Sequence, residues 1–140
     1  MESPIQIEPS GPREPAASYQ PGVCNIGPEE VRMRRRSGYA GLAVSAVLAG
    51  GLLVSRAPRP ARLLVALPLT GGVVGLLQAR ERFCVNFGTR GVYNFGPRGV
   101  ESAVVGSADR RADLGRSGSI IARSLLVGVG GAAALLLLPG

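Results

Sequence analysis

Apolar positions along the chain gather into three blocks, with the arginines between them. The first block, residues 38–55 (GYAGLAVSAVLAGGLLVS), runs 18 residues without a charge. The second, residues 63–79 (LLVALPLTGGVVGLLQA), runs 17 with only Gln78 strongly polar. The third, residues 119–138, is 20 residues long with one charge, Arg123. A helix needs about 20 apolar residues to cross ~30 Å of hydrocarbon. A buried helix of a soluble bundle would carry a polar stripe, whereas the first block offers only Ser45 and Ser55. The pattern therefore predicts an all-α membrane protein with three transmembrane helices. Residues 31–85 form a helical hairpin (spans about 38–55 and 63–79), and residues 119–140 form the third span. The first two blocks are short, so flanking arginines extend toward the headgroups. Arg123 lies about one turn inside its block and is expected to do the same; a functional intramembrane charge is the sharper alternative.

Residues 1–30 read differently. Six prolines fall between positions 4 and 28 with no apolar run, and over residues 1–37 five glutamates balance five arginines. An extended arm is expected, and no cleavable signal peptide. Residues 1–23 and the Gly/Arg-rich loop 86–118 are expected to contact a protein partner at the membrane surface. Residues 86–118 mix acids with arginines, which suits protein better than nucleic acid.

Composition agrees with the membrane reading and limits the chemistry. Among 140 residues, 46% are hydrophobic and 18% charged, the latter below the ~25% usual for soluble domains. His is absent, which removes the commonest general base and metal ligand. All 16 basic residues are Arg and the net charge is +7. Eleven of these arginines flank the face that carries the N-terminal end of the hairpin, against three in the turn between the first two spans. The positive-inside rule then places the N-terminus in the cytoplasm and the C-terminus outside, in a bacterial inner membrane. Because two spans separate them, Cys24 and Cys84 fall on one face, and in the cytoplasm both are reduced thiols. Two cysteines without His do not complete a tetrahedral metal site. A packing role is expected for them, with thiol or sulfur chemistry as the alternative. No metal and no cofactor is expected, beyond a bound lipid.

Small residues four apart let membrane helices approach closely. That spacing picks out Gly41, Ser45 and Ala49 in the first span, and Gly71, Gly75 and Ala79 in the second. In the third it picks out Gly128 with Ala132, and Gly130 with Ala134. Pro68 is expected to bend the second span. After that span, Asn86-Phe87-Gly88-Thr89-Arg90-Gly91-Val92 recurs as Asn94-Phe95-Gly96-Pro97-Arg98-Gly99-Val100. No P-loop lysine accompanies these glycines. Two tandem surface turns are expected, with Phe87, Tyr93 and Phe95 at headgroup level and Arg90 and Arg98 facing anionic lipid. Arginines that border spans do not indicate a nucleic-acid partner.

Asn25-Ile26-Gly27, then Glu30 and a basic stretch entering a helix, followed by Leu69-Thr70-Gly71, Cys84 and Gly88, resembles the YgaP-type inner-membrane transmembrane domain. The resemblance covers residues 24–88. It implies a two-helix hairpin that associates through its helices. No proline follows Cys84, and the third span and its preceding loop are additional. Some members carry a rhodanese sulfurtransferase domain, for which this chain has no room. The sequence thus leads to a non-catalytic accessory or structural subunit of a larger bacterial inner-membrane complex, respiratory or photosynthetic complexes being examples. Other membrane subunits, anionic lipid or a second copy are its expected partners. A small thiol or sulfur-handling protein using Cys84 and Cys24 is the competing reading.

Overall fold

The structure, a computed structural model, describes residues 18–139. It is mostly helical. Three long helical segments, Pro28–Val54 (α1), Arg59–Glu81 and Ser107–Leu135 (α4), are long and apolar enough to cross a membrane. The middle segment begins as a 3-10 helix, Arg59–Val65, and continues as α2, Ala66–Glu81. A short helix α3, Val85–Arg90, and two paired two-residue strands, β1 (Val92–Tyr93) and β2 (Ser102–Ala103), lie between α2 and α4.

The ends of these helices follow from local chemistry. Pro28 opens α1 at the position where its missing N–H costs nothing, and Glu29 and Glu30 complement the positive end of the helix. Pro68 lies in the first turn of α2, where its N–H is not needed. Just upstream, the 3-10 helix gives way to α-helix at Val65 and Ala66. Arg62, 1% exposed, donates from Nη1 to the carbonyl oxygens of Leu135 (3.0 Å) and Leu138 (2.8 Å). A guanidinium thereby satisfies carbonyls that the end of α4 leaves open.

The third helix starts at Ser107, twelve residues earlier than its apolar block. The loop expected over residues 86–118 is accordingly shorter and contains α3, the β1–β2 ribbon and the first turns of α4. The charged residues of that early stretch do not break the helix because Arg, Asp and Ala tolerate helical backbone. The buried positions Asp113, Ser117, Ile120, Ser124, Gly128 and Ala132 recur every three to four residues along it. That recurrence is a single helix face.

α2 sits in the middle. Both α1 and α4 pack against it, with little direct contact between the two flanking helices. The α1–α2 seam is built from small residues in antiparallel register. A Cβ added to Gly41 would lie 2.6 Å from Gly72 Cα, and one added to Gly75 would lie 2.8 Å from Gly38 Cα. On the other side of α2, Gly128 of α4 receives Thr70, and Gly131 meets Leu69.

Candidate functional site

At the end of the bundle where α1 and α4 begin and α2 ends, buried polar groups tie the connecting segments together. Asn25 is fully buried. Its amide grips the backbone of Cys84 from both sides: Nδ2 donates to the Cys84 carbonyl (3.1 Å), and Oδ1 accepts from the Cys84 N–H (2.6 Å). The Asn25 and Ile26 N–H groups donate to the Arg82 carbonyl, while Gly27 N–H donates to Asn94 and Asn94 N–H returns to Asn25. Gly27 is required by close approach, since a Cβ there would stand 2.9 Å from Phe95 Cα. The Asn-Ile-Gly segment therefore acts as a structural clip between the start of α1, the end of α2 and the segment after β1.

Cys84 is 1% exposed and packs with Ile26 and Phe87. Arg34 of α1 brings Nη2 to 3.1 Å from Cys84 Sγ, and the same nitrogen lies 3.5 Å from a Glu30 carboxylate oxygen. Arg34 Nε is buried without a hydrogen-bond partner among the described residues. Cys24 lies at the same end of the bundle, half-buried, with its Sγ donating to the Ser18 carbonyl (3.3 Å). Both cysteines are free thiols. Among the described residues, no group of three or more His, Cys, Asp or Glu side chains is placed to hold a metal ion.

Two carboxylates anchor α4 to this end. Asp113, fully buried, accepts from Tyr19 Oη and from Gly22 N–H, each at 2.8 Å. Burial and this hydrogen bond to an anionic acceptor push the Tyr19 hydroxyl well above the usual tyrosine range. Residues 18–23 thus fold back on their own chain; residues 1–17 of the expected arm lie outside the described residues. Glu81, at the end of α2, pairs with Arg116 (2.9 Å) and Arg123 (2.7 Å). The one charge of the third apolar block therefore points back toward the charged end, with a carboxylate partner waiting there.

Several expectations are corrected. Gly71 does not take part in the helix seam: nothing lies within 4 Å of a Cβ placed on it. The seam residues are Gly38, Gly41 and Ser45 on α1 and Gly72, Gly75 and Ala79 on α2, with Ala49 half-buried beyond it. Each helix repeats the same offsets of three then four residues, a pattern hidden by a search for strict fours. In α4, Gly128 and Ala132 are buried, whereas Gly130 and Ala134 face outward. Phe87 is 6% exposed in the Cys84 cluster instead of at a surface, because α3 turns its ring inward. Arg90 is committed to a two-pronged pair with Glu101 (3.1 and 2.6 Å), which raises its guanidinium above the ordinary arginine value. Tyr93 stacks on Tyr19 with ring centroids 4.6 Å apart, and Phe95 is tilted against it at 6.2 Å. Arg98 remains exposed.

The two copies of the repeat are not two similar turns. The first is helix α3; the second is the loop of the β1–β2 ribbon. Pro97 stands where the first copy has Thr89, and it disfavours helix both at its own position and at Gly96 before it. What survives is the sixth position, where Gly91 (φ 70°) and Gly99 (φ 89°) both take the left-handed conformation that favours glycine.

Composition and spacing did not single out Asp113, Gln78 or Glu81 as structural partners. Gln78 is buried and its Oε1 accepts from Val85 N–H at 2.9 Å. The signal for it was its place as the one strongly polar residue in an apolar block. No protein-family model, curated protein or solved structure matches the sequence.

Proposed function

We propose that this chain is a non-catalytic integral-membrane accessory subunit, packing against and stabilising a larger complex in a bacterial inner membrane. Respiratory and photosynthetic assemblies are the settings in view. The observation that carries the reading is a division of surfaces. Apolar side chains point outward along the long helices, with Val47 76% and Leu126 74% exposed, as lipid or a neighbouring helix requires. Inside, several buried polar side chains are spent on other groups of the same chain: Asn25 on the Cys84 backbone, Asp113 on Tyr19 and Gly22, Gln78 on the Val85 backbone. The N-terminus is cytoplasmic in this reading, which sets the arginine-rich end against the cytoplasmic leaflet. Neighbouring membrane subunits are the partners, with anionic lipid or a second copy of the chain as further contacts.

The test is extraction in mild detergent from membranes of the native host, followed by size separation. The chain is expected to migrate with a larger complex whose yield falls when the chain is deleted. Recovery of the chain alone, with complexes of normal size and yield in the deletion strain, overturns the proposal.

The contact of Arg34 with Cys84 favours a second reading, a small membrane thiol protein using Cys84 and Cys24, since a cation beside a cysteine sulfur is a feature of reactive sites. Replacing both cysteines with serine separates the two. Complex recovery is unchanged if the chain is a packing subunit, and cellular function is lost if the thiols react.

A further inference from the structure

The central position of α2 leaves one of its faces uncovered between α1 and α4, and this face forms a groove of about 390 Å³. Leu67, Gly71, Val74 and Gln78 make its floor; offsets of four, three and four residues place them on a single helix face. Leu125 and Val129 of α4 form one wall. Arg34 and Ser37 of α1 line the groove on the other side. Its chemistry changes along its length. Leu67, Leu125 and Val129 belong to the apolar stretches, whereas Arg34 and Gln78 lie within about a turn of the charged ends of their helices.

We infer that this groove holds one anionic phospholipid, its acyl chain along the Gly71 floor and its phosphate at Arg34. The inference rests on the membrane reading given above. Charge complementarity selects the occupant. Arg34 lines the groove, its Nη2 also lying 3.1 Å from Cys84 Sγ and 3.5 Å from a Glu30 carboxylate oxygen, and Arg32, Arg35 and Arg36 add positive charge nearby on α1. A guanidinium at the rim of an apolar groove is matched by a phosphate oxygen. Size argues the same way. A helix with its side chains is about 10–12 Å across, so 390 Å³ takes only about one turn of it. A hydrocarbon tail is narrow enough to follow the groove. Gly71 also gains a reason: it is open, so its missing side chain serves the depth of the floor and not the helix seam.

The full chain, reconstituted in vesicles of equal phosphatidylglycerol and phosphatidylcholine, is extracted and examined by native mass spectrometry. One retained phosphatidylglycerol per chain is expected, in preference to phosphatidylcholine. Gly71→Leu places its Cβ in open space and fills the floor, so it should lower retention. Arg34→Gln should lower the preference for phosphatidylglycerol by about tenfold, as loss of a hydrogen bond to a charged group implies. Gly50→Leu, at another open glycine on α1, should change neither. Equal retention by wild type, Gly71→Leu and Arg34→Gln overturns the inference. So does a change of oligomer size in Gly71→Leu with lipid retention unaltered, which would assign the groove to a second copy. A chain that needs no detergent to stay in solution overturns the membrane reading itself. One that needs detergent yet retains no lipid overturns the groove alone.

Discussion

Replacing Gly41 with alanine tests the geometry of the central seam most directly. The added Cβ would stand 2.6 Å from Gly72 Cα, 2.7 Å from Gly72 N and 3.1 Å from the Pro68 carbonyl oxygen. All three are backbone atoms, so no side chain can swing away to make room. Ordinary contact between carbon atoms is about 3.5–4.0 Å, so the two helices must separate by about 1 Å, enough to forfeit a quarter to a half of each dispersion contact along the seam. Overpacking of this kind costs about 1–3 kcal/mol. Gly71→Ala, one residue along on α2 from Gly72, adds the same methyl to open space and should cost less than about 0.5 kcal/mol. Reversible unfolding in detergent micelles, followed by circular dichroism, measures both. A spin-label pair across α1 and α2 reports the separation independently. If Gly41→Ala is as stable as the wild type, or if Gly71→Ala loses as much, the seam does not run through Gly41 and Gly72 and the reasoning fails.

Asn25→Leu removes both hydrogen bonds to the Cys84 backbone and should cost about 1–3 kcal/mol per buried group left unpaired. The resulting local opening is expected to accelerate maleimide labelling of Cys84, now 1% exposed, while an unchanged labelling rate would show the clip to be dispensable. The Tyr19–Asp113 contact should respond to alkali. The folded hydroxyl ionises above its unfolded value of about 10, so its contribution is fully present below that pH and is lost as pH rises through the folded value. Ultraviolet titration of tyrosinate should show one late-ionising tyrosine that Asp113→Asn returns toward the ordinary range.

The three long helices were legible in the sequence, because a run of about 20 apolar residues is a local property that no distant contact needs to confirm. The two cysteines' shared end was legible for a similar reason, since two spans between them return the chain to its starting side. The start of α4 was not. Its first turns are charged, and Asp113 and Ser117 become a helix face only through Tyr19, Gly22 and α3 packed against them. The small-residue faces were half legible. Gly41, Ser45, Gly75 and Ala79 fell on the seam, but neighbouring glycines at 71 and 72 look alike in sequence, and a rotation of about 100° per residue sends one to α1 and the other to open space. The repeat shows the same limit most sharply. Seven nearly identical residues become a helix in one copy and a ribbon loop in the other, because a single proline and the partners met by Phe87 and Asn94 differ. Length and polarity settle which segments are long apolar helices; which side of each helix meets its neighbour is settled by contacts between residues far apart in the chain.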